Sequence, residues 1–195
     1  MLPEDTIKPV RLILASASPR RAELLTAAGF SFDVVPADVD ETPQRGEAPE
    51  VYTSRVALDK ARHVSRLQGS TGMTVLAADT EVVRDGGVLG KPVDPADAAR
   101  MLRLLSGQTH EVLTAVVVIS GGVERTAVDR TIVRFTAMSD TEIDWYVASG
   151  EPMGKAGAYG IQGRGARFID HIEGAWSTVV GLPVHTVHRL LSEVE

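Results

Sequence analysis

Short apolar runs alternate with helix-forming segments along almost the whole chain, and this restricts the fold more than any other feature. Arg11 to Ala15 is a short apolar strand. Ser18-Pro19 then starts a helix, because serine is a good N-cap and proline suits the first helical position. The helix runs to about Ala28, and Gly29 stops it. Phe30, Phe32 and Val34 alternate with Ser31 and Asp33, the period of a half-buried strand. Residues 36–49 form a polar, acid-rich loop, and 50–67 a helix. Thr74 to Ala78 is an apolar strand ending in Asp79-Thr80, and 82–89 is a hairpin around Asp85-Gly86-Gly87. Asp94-Pro95 caps another helix, with Ala98, Met101, Leu102 and Leu105 on one face and Gly107 at its end. A long apolar strand over 112–119 turns at Gly121-Gly122 into a second one near 128–135. Ser139 and Glu142 form a capping box, opening a helix that stops at Gly150. A glycine-rich stretch follows, then a last helix over 184–194. Interleaved strands and helices predict an α/β fold with a mixed sheet.

Nothing divides the 195 residues, so one domain over 11–195 is expected behind an N-terminal extension of 1–10. The absence of cysteine excludes disulfides, a thiolate zinc site and a cysteine nucleophile. A net charge of −6 argues against a broad nucleic-acid surface. No apolar run approaches the roughly 20 residues of a membrane span. Met1 to Val10 carries prolines and acids rather than a basic-then-apolar signal, so a cytoplasmic protein is expected.

Six segments could carry chemistry. In Ser16-Ala17-Ser18-Pro19-Arg20-Arg21 a strand leads into hydroxyls, a helix start and two guanidiniums, all suited to an anion. An ordinary N-cap with two solvated arginines competes with that reading. Asp38, Asp40 and Glu41 could hold Mg²⁺ beside substrate phosphates, or form a solvated loop. Lys60 falls inside the apolar stripe of its helix, between Val56 and Val64 in angle. It must snorkel, pair with a buried acid or reach into a cleft. Asp79-Thr80 stands at a strand end, where open α/β sheets bind ligands. Its carboxylate could bind metal, serve as a base or cap a turn. Lys91 is held between Gly90 and Pro92, without the spacing of a P-loop. Finally, residues 154–163 are glycine-rich, and Gln162 has a donor and an acceptor with which to read a base edge.

In this order the segments resemble the Maf family of nucleoside triphosphate pyrophosphatases. The matching text is SASPRRAELL, DVDET, SRVALDKA, ADT, VLGKPVDPADAARMLRLLSGQTHEVLT, KAGAYGIQG and VVGLP. The resemblance implies a sheet in two lobes around a cleft, similar to inosine triphosphatases. It implies hydrolysis between the α and β phosphates with a divalent metal, Mg²⁺ or Mn²⁺. Members are cytoplasmic, are described as dimers and are linked to restraint of septum formation, so a homodimer is one expectation.

By the same resemblance Asp79 matches the proton acceptor. Arg20, Thr80 and Gln162 match the positions of substrate choice in the subgroup acting on dTTP and UTP. Arg21, Glu41, Lys60 and Lys91 match further polar positions of the cleft. Glu81 departs from the pattern, which usually has an apolar residue there. A triphosphate carries about four negative charges and needs cations and N–H donors. The expected phosphate ligands are therefore Ser16, Ser18, Arg21, Lys60 and Lys91, with Glu41 and Asp79 on the metal. Two alternatives differ in substrate or class: a pyrophosphatase for methylated purine triphosphates, and a nucleotide-binding cell-division regulator with little catalysis.

Overall fold

The computed structural model describes residues 11–69 and 72–194. The expected extension over 1–10 lies outside them. The elements are β1 (Leu12–Leu14), α1 (Pro19–Ala27), β2 (Phe32–Val34), α2 (Pro49–Gln68), β3 (Thr74–Arg84) and β4 (Gly87–Leu89). Then come α3 (Pro95–Leu105), β5 (Thr109–Ser120), β6 (Val123–Phe135), α4 (Asp140–Ala148), β7 (Ile169–Glu173), α5 (Trp176–Val180) and α6 (Val184–Ser192). The strands form one sheet in the order β2-β1-β3-β5-β6-β7, with β4 also on β3. β1 runs parallel to β2 and β3, and the remaining pairs are antiparallel. The sheet is mixed and flanked by helices, as the interleaving predicts.

Strand alternation decides which helix packs where. Val75, Ala77, Ala115 and Val117 face α2 and meet its Ala57, Ala61 and Val64. Leu76, Ala78, Val116 and Val118 face the other way and meet α1, α5 and α6 through Leu25, Val180 and Val187. Further along that second face, α3 and α4 bring Leu102, Leu105, Ile143 and Tyr146 against Val112, Val133 and Phe135. The α3 stripe expected from the sequence is buried throughout, and Asp94 accepts from the Asp97 N–H at 2.7 Å. The Ser139–Glu142 capping box is formed.

Several local expectations need correction. β3 does not end at Ala78 but continues to Arg84, so Asp79-Thr80 lies within a strand. Val34 is 48% exposed, because β2 is the outermost strand and no helix covers it there. Ser18 occupies the N-cap position of α1 without a side-chain cap bond. β6 starts at Val123 rather than near 128, since the Gly121-Gly122 turn lets it pair with β5 from Ser120 onward. β7 and α5 are unforeseen: one gains its strand character from pairing with β6, the other is a single short turn.

Candidate active site

The site follows from a mismatch in strand length. β1 pairs with β3 only from Leu12↔Thr74 to Leu14↔Leu76, and the Ala15 N–H bonds to the Leu76 carbonyl at 2.8 Å. The chain then leaves for α1, and β4 takes up that edge of β3 only from Val82. Residues 77–81 therefore face no strand on that side. A cleft of about 590 Å³ opens there. The topological break invoked for open sheets is present, but where a partner strand departs rather than at a strand end.

The cleft wraps around this uncovered edge, and alternation gives its two sides different chemistry. On the α2 side stand Asp79 and Glu81, two residues apart and both buried. Lys60 comes down from the apolar stripe of α2 to meet them. Its Nζ lies 2.7 Å from Asp79 Oδ1 and 2.6 Å from Glu41 Oε1. Of the three routes open to a lysine in that stripe, Lys60 takes two, reaching the cleft and pairing with a buried acid. Glu41 belongs to the acid-rich loop, where Tyr52 Oη donates to its carbonyl at 2.7 Å. Lys91 Nζ lies 3.4 Å from Glu41 Oε2. Burial pushes the Glu41 carboxyl up, but the Lys60 bond and the charges of Lys60 and Lys91 together hold it below its ordinary value. Glu81 has no such partner. Burial, then the charge of Asp79, push its carboxyl up to about 8.

On the opposite side Thr80 meets Arg21. The Arg21 guanidinium is buried, which lowers its pKa. It donates to the Gly181 carbonyl at 2.8 Å, Ser16 Oγ at 3.1 Å and Thr80 Oγ1 at 3.1 Å. Thr80 Oγ1 also lies 3.0 Å from Thr114 Oγ1. Arg21 thus ties together the start of α1, the middle of β3 and the end of α5. Ser16 Oγ also accepts from the Ser18 N–H at 3.2 Å, which orders the loop before α1. Arg20 is half-buried at the same wall.

The glycine-rich segment forms the third wall, and its anchor is Glu151. That carboxylate accepts from Tyr146 Oη at 2.8 Å and from the N–H groups of Arg164 at 2.8 Å and Gly165 at 3.1 Å. Lys155 Nζ donates to the Glu151 carbonyl. Glycine is required for this close packing: a Cβ at Gly163 would lie 2.5 Å from Glu151 Oε2, and one at Gly165 2.6 Å from Tyr146 Oη. Exposed Gln162 is carried on this loop and lines the cleft. Burial and then Arg20 lower the pKa of Lys155, a further cation of this wall. Beneath it Tyr159 Oη bonds His110 Nε2 at 2.8 Å.

Ser16, Ser18, Arg20, Arg21, Glu41, Lys60, Asp79, Thr80, Lys91 and Gln162, all singled out from the sequence, line this cleft, whereas Asp38 and Asp40 of the acid-rich loop do not. Glu81, which also lines the cleft, enters the sequence reading only as a departure from the family pattern, and Glu151 does not enter it. The two-residue period of a strand running on past Asp79 is the signal that would have found Glu81. Glu151 has no comparable signal, since two of the three groups donating to its carboxylate are backbone N–H groups of a later loop. Arg164 and Arg167 have no part in the cleft lining; their guanidiniums lie 5.8 and 4.7 Å from the centre of the Trp145 ring.

The donor chemistry suits a hard divalent cation. Asp79 Oδ2 is buried and without a protein partner, and carboxylate oxygen suits Mg²⁺ or Mn²⁺. Among the described residues no group of three or more His, Cys, Asp and Glu side chains is gathered to hold an ion by itself. Such an ion would complete its shell with water and phosphate oxygens.

Fold and site together define a mixed-sheet α/β protein with a lysine–carboxylate cluster in a cleft at a break in its strand pairing. The family model described as Maf-like protein matches residues 11–194, and the chain belongs to that family. A relative from Shewanella sp. (strain MR-7) named dTTP/UTP pyrophosphatase is 50% identical over 190 residues, 94% of this chain and 98% of its own. One of the same name from Anaeromyxobacter dehalogenans (strain 2CP-1) is 54% identical over 185 residues, 93% and 92% of the two chains. Another from Symbiobacterium thermophilum is 50% identical over 183 residues, 94% and 93%. The crystal structure of a nucleoside-triphosphatase / dITP/XTP pyrophosphatase from Mycobacterium abscessus aligns over 93% of this chain and 92% of that chain, at 19% identity and a TM-score of 0.45.

Proposed function

We propose that this chain hydrolyses dTTP and UTP to the monophosphate and pyrophosphate. The observation that carries the reading is Lys60 in an apolar helix stripe, bridging Glu41 and Asp79 at the uncovered edge of β3. A lysine buried between two acids is a costly arrangement for stability alone, and it suits a cleft that must meet a polyanion. Relatives at about half identity over nearly the whole chain carry the name dTTP/UTP pyrophosphatase. In the reaction a water oxygen forms a bond to the α phosphorus while the bond from that phosphorus to the bridging oxygen breaks. Asp79 takes the proton of the water, with Oδ1 held by Lys60 and Oδ2 without a protein partner. Lys60 and Lys91 move their charge from Glu41 toward the arriving phosphates, and Ser16, Ser18 and Arg21 order the start of α1 around them. A divalent cation, Mg²⁺ or Mn²⁺, when held by Glu41 and Asp79, supplies positive charge to the phosphates. Arg20, Thr80 and Gln162 surround the pyrimidine. Thr80 acts there through its bonds to Arg21 and Thr114.

The test is product analysis with purified protein, Mg²⁺ and a panel of triphosphates that includes methylated purines. Pyrophosphate is expected from dTTP and UTP. Orthophosphate as the phosphorus product, or no turnover across the panel, overturns the reading. Asp79→Asn is expected to lower kcat by about a hundredfold to ten-thousandfold while the nucleotide still binds. A cytoplasmic setting and a homodimer belong to the same reading. Among the described residues no helix is long and apolar enough to cross a membrane. Light scattering of the full chain checks the dimer, and a monomeric mass rejects it.

A further inference from the structure

The Asp79–Glu81 side of the cleft has more acidic side chains than lysines. Three carboxylates, Glu41, Asp79 and Glu81, face two lysines, Lys60 and Lys91. Glu41 has an oxygen on each lysine, and Asp79 has Oδ1 on Lys60. Glu81 is 8% exposed, and its Oε2 has no hydrogen-bond partner in the protein. Asp79 is 6% exposed, and its Oδ2 is likewise without one. Two residues apart on one strand, the two side chains stand on the same face of β3 and line the same cleft. The Arg21 guanidinium is spent on the opposite face of β3.

A buried carboxylate beside another, with no cation of its own, costs free energy unless something positive comes to it. A triphosphate brings further negative charge to this side. We propose that Glu81 is a ligand of the divalent cation in this chain, its Oε2 joining Asp79 Oδ2 on the ion. Two hard oxygens from one strand leave the rest of the shell to water and phosphate, the arrangement Mg²⁺ and Mn²⁺ prefer. The inference rests on the proposed reading only in taking a metal-bearing nucleotide as the cleft's ligand.

The test is Mn²⁺ binding to the full chain, followed by the paramagnetic resonance signal of the free ion, with and without a non-hydrolysable α,β-methylene analogue of dTTP. Wild-type protein is expected to take up Mn²⁺, and Glu81→Gln to bind it roughly tenfold or more weakly. Glu81→Asp draws the oxygen back by one methylene and is expected to fall between the two. Unchanged Mn²⁺ affinity in Glu81→Gln overturns the inference, as does a wild type that takes up no Mn²⁺ under either condition. If Glu81→Gln does not fold, Glu81→Asp decides: affinity equal to wild type overturns the inference and weaker binding supports it. Pyrophosphate release is measured separately. A wild type that binds Mn²⁺ through Glu81 but hydrolyses neither dTTP nor UTP sinks the substrate reading and leaves the ion site standing.

Discussion

His110 is a histidine held neutral by its surroundings. It is buried against Phe135 and Tyr159, which meet its ring edge-on at 5.2 and 5.4 Å between centroids. Burial, with a smaller push from Arg84, lowers its pKa from 6.5 to about 4. The unfolded chain takes up this proton near pH 6.5, the folded chain only near pH 4. Stability from neutral His110 is therefore complete above pH 6.5 and is lost as pH falls from there toward 4. The loss is at most about 1.4 kcal/mol per pH unit. Urea midpoints measured across this window should fall less steeply for His110→Gln than for wild type. Parallel slopes would show that the ring already carries its proton in the folded state. Because His110 supports Tyr159 beneath the glycine-rich wall, mild acid should loosen that wall as well.

At the scale of elements, the glycine-rich loop is shaped by what its glycines leave out. Gly163 has an ordinary negative φ, so it is glycine because Glu151 occupies the space of a Cβ. Gly163→Ala should displace the Glu151 carboxylate, release the Arg164 and Gly165 N–H groups and let Gln162 drift. Misplacement of about 1 Å can cost on the order of a hundredfold in rate, so a loss of that size in kcat/KM for dTTP is expected. Faster hydrogen exchange at 164 and 165 should accompany it. Slow exchange at those amides in the variant would show that Glu151 does not anchor the loop. The same scale separates what the sequence reveals from what it hides. Lys60 is legible because a helix repeats every 100° and a charge inside an apolar stripe has few destinations. Asp79 stands out as an acid after an apolar run. Glu81 does not, because its burial depends on β3 outrunning β1, a pairing set by distant residues. β7 and α5 hide for the same reason: five residues each, they take their form from β6 and the underlying core rather than from their own pattern.

Over the whole molecule, the two regions on either side of the cleft share their longest strands. β5 carries Val116 and Val118 into the core beneath α1, α5 and α6, and Val112 into the core beneath α3 and α4. A strand that serves both cores cannot leave one without disturbing the other. The described residues should therefore unfold as a single domain. Urea denaturation followed by Trp145 and Trp176 fluorescence and by far-ultraviolet circular dichroism should give one coincident transition. Two separated transitions would make the regions independent folding units.

The bond from Arg21 to the Gly181 carbonyl closes a loop of 160 positions in sequence. During synthesis on the ribosome, Ser16, Arg21, Lys60 and Asp79 all emerge long before Gly181. The early wall of the cleft must wait for Gly181, 160 positions later, before its guanidinium is fixed. A prematurely terminated product lacking α5 and α6 would carry Lys60 and Asp79 yet leave Arg21 unanchored. The guanidinium that ties the walls of the cleft together is thus fixed only after α5 has emerged.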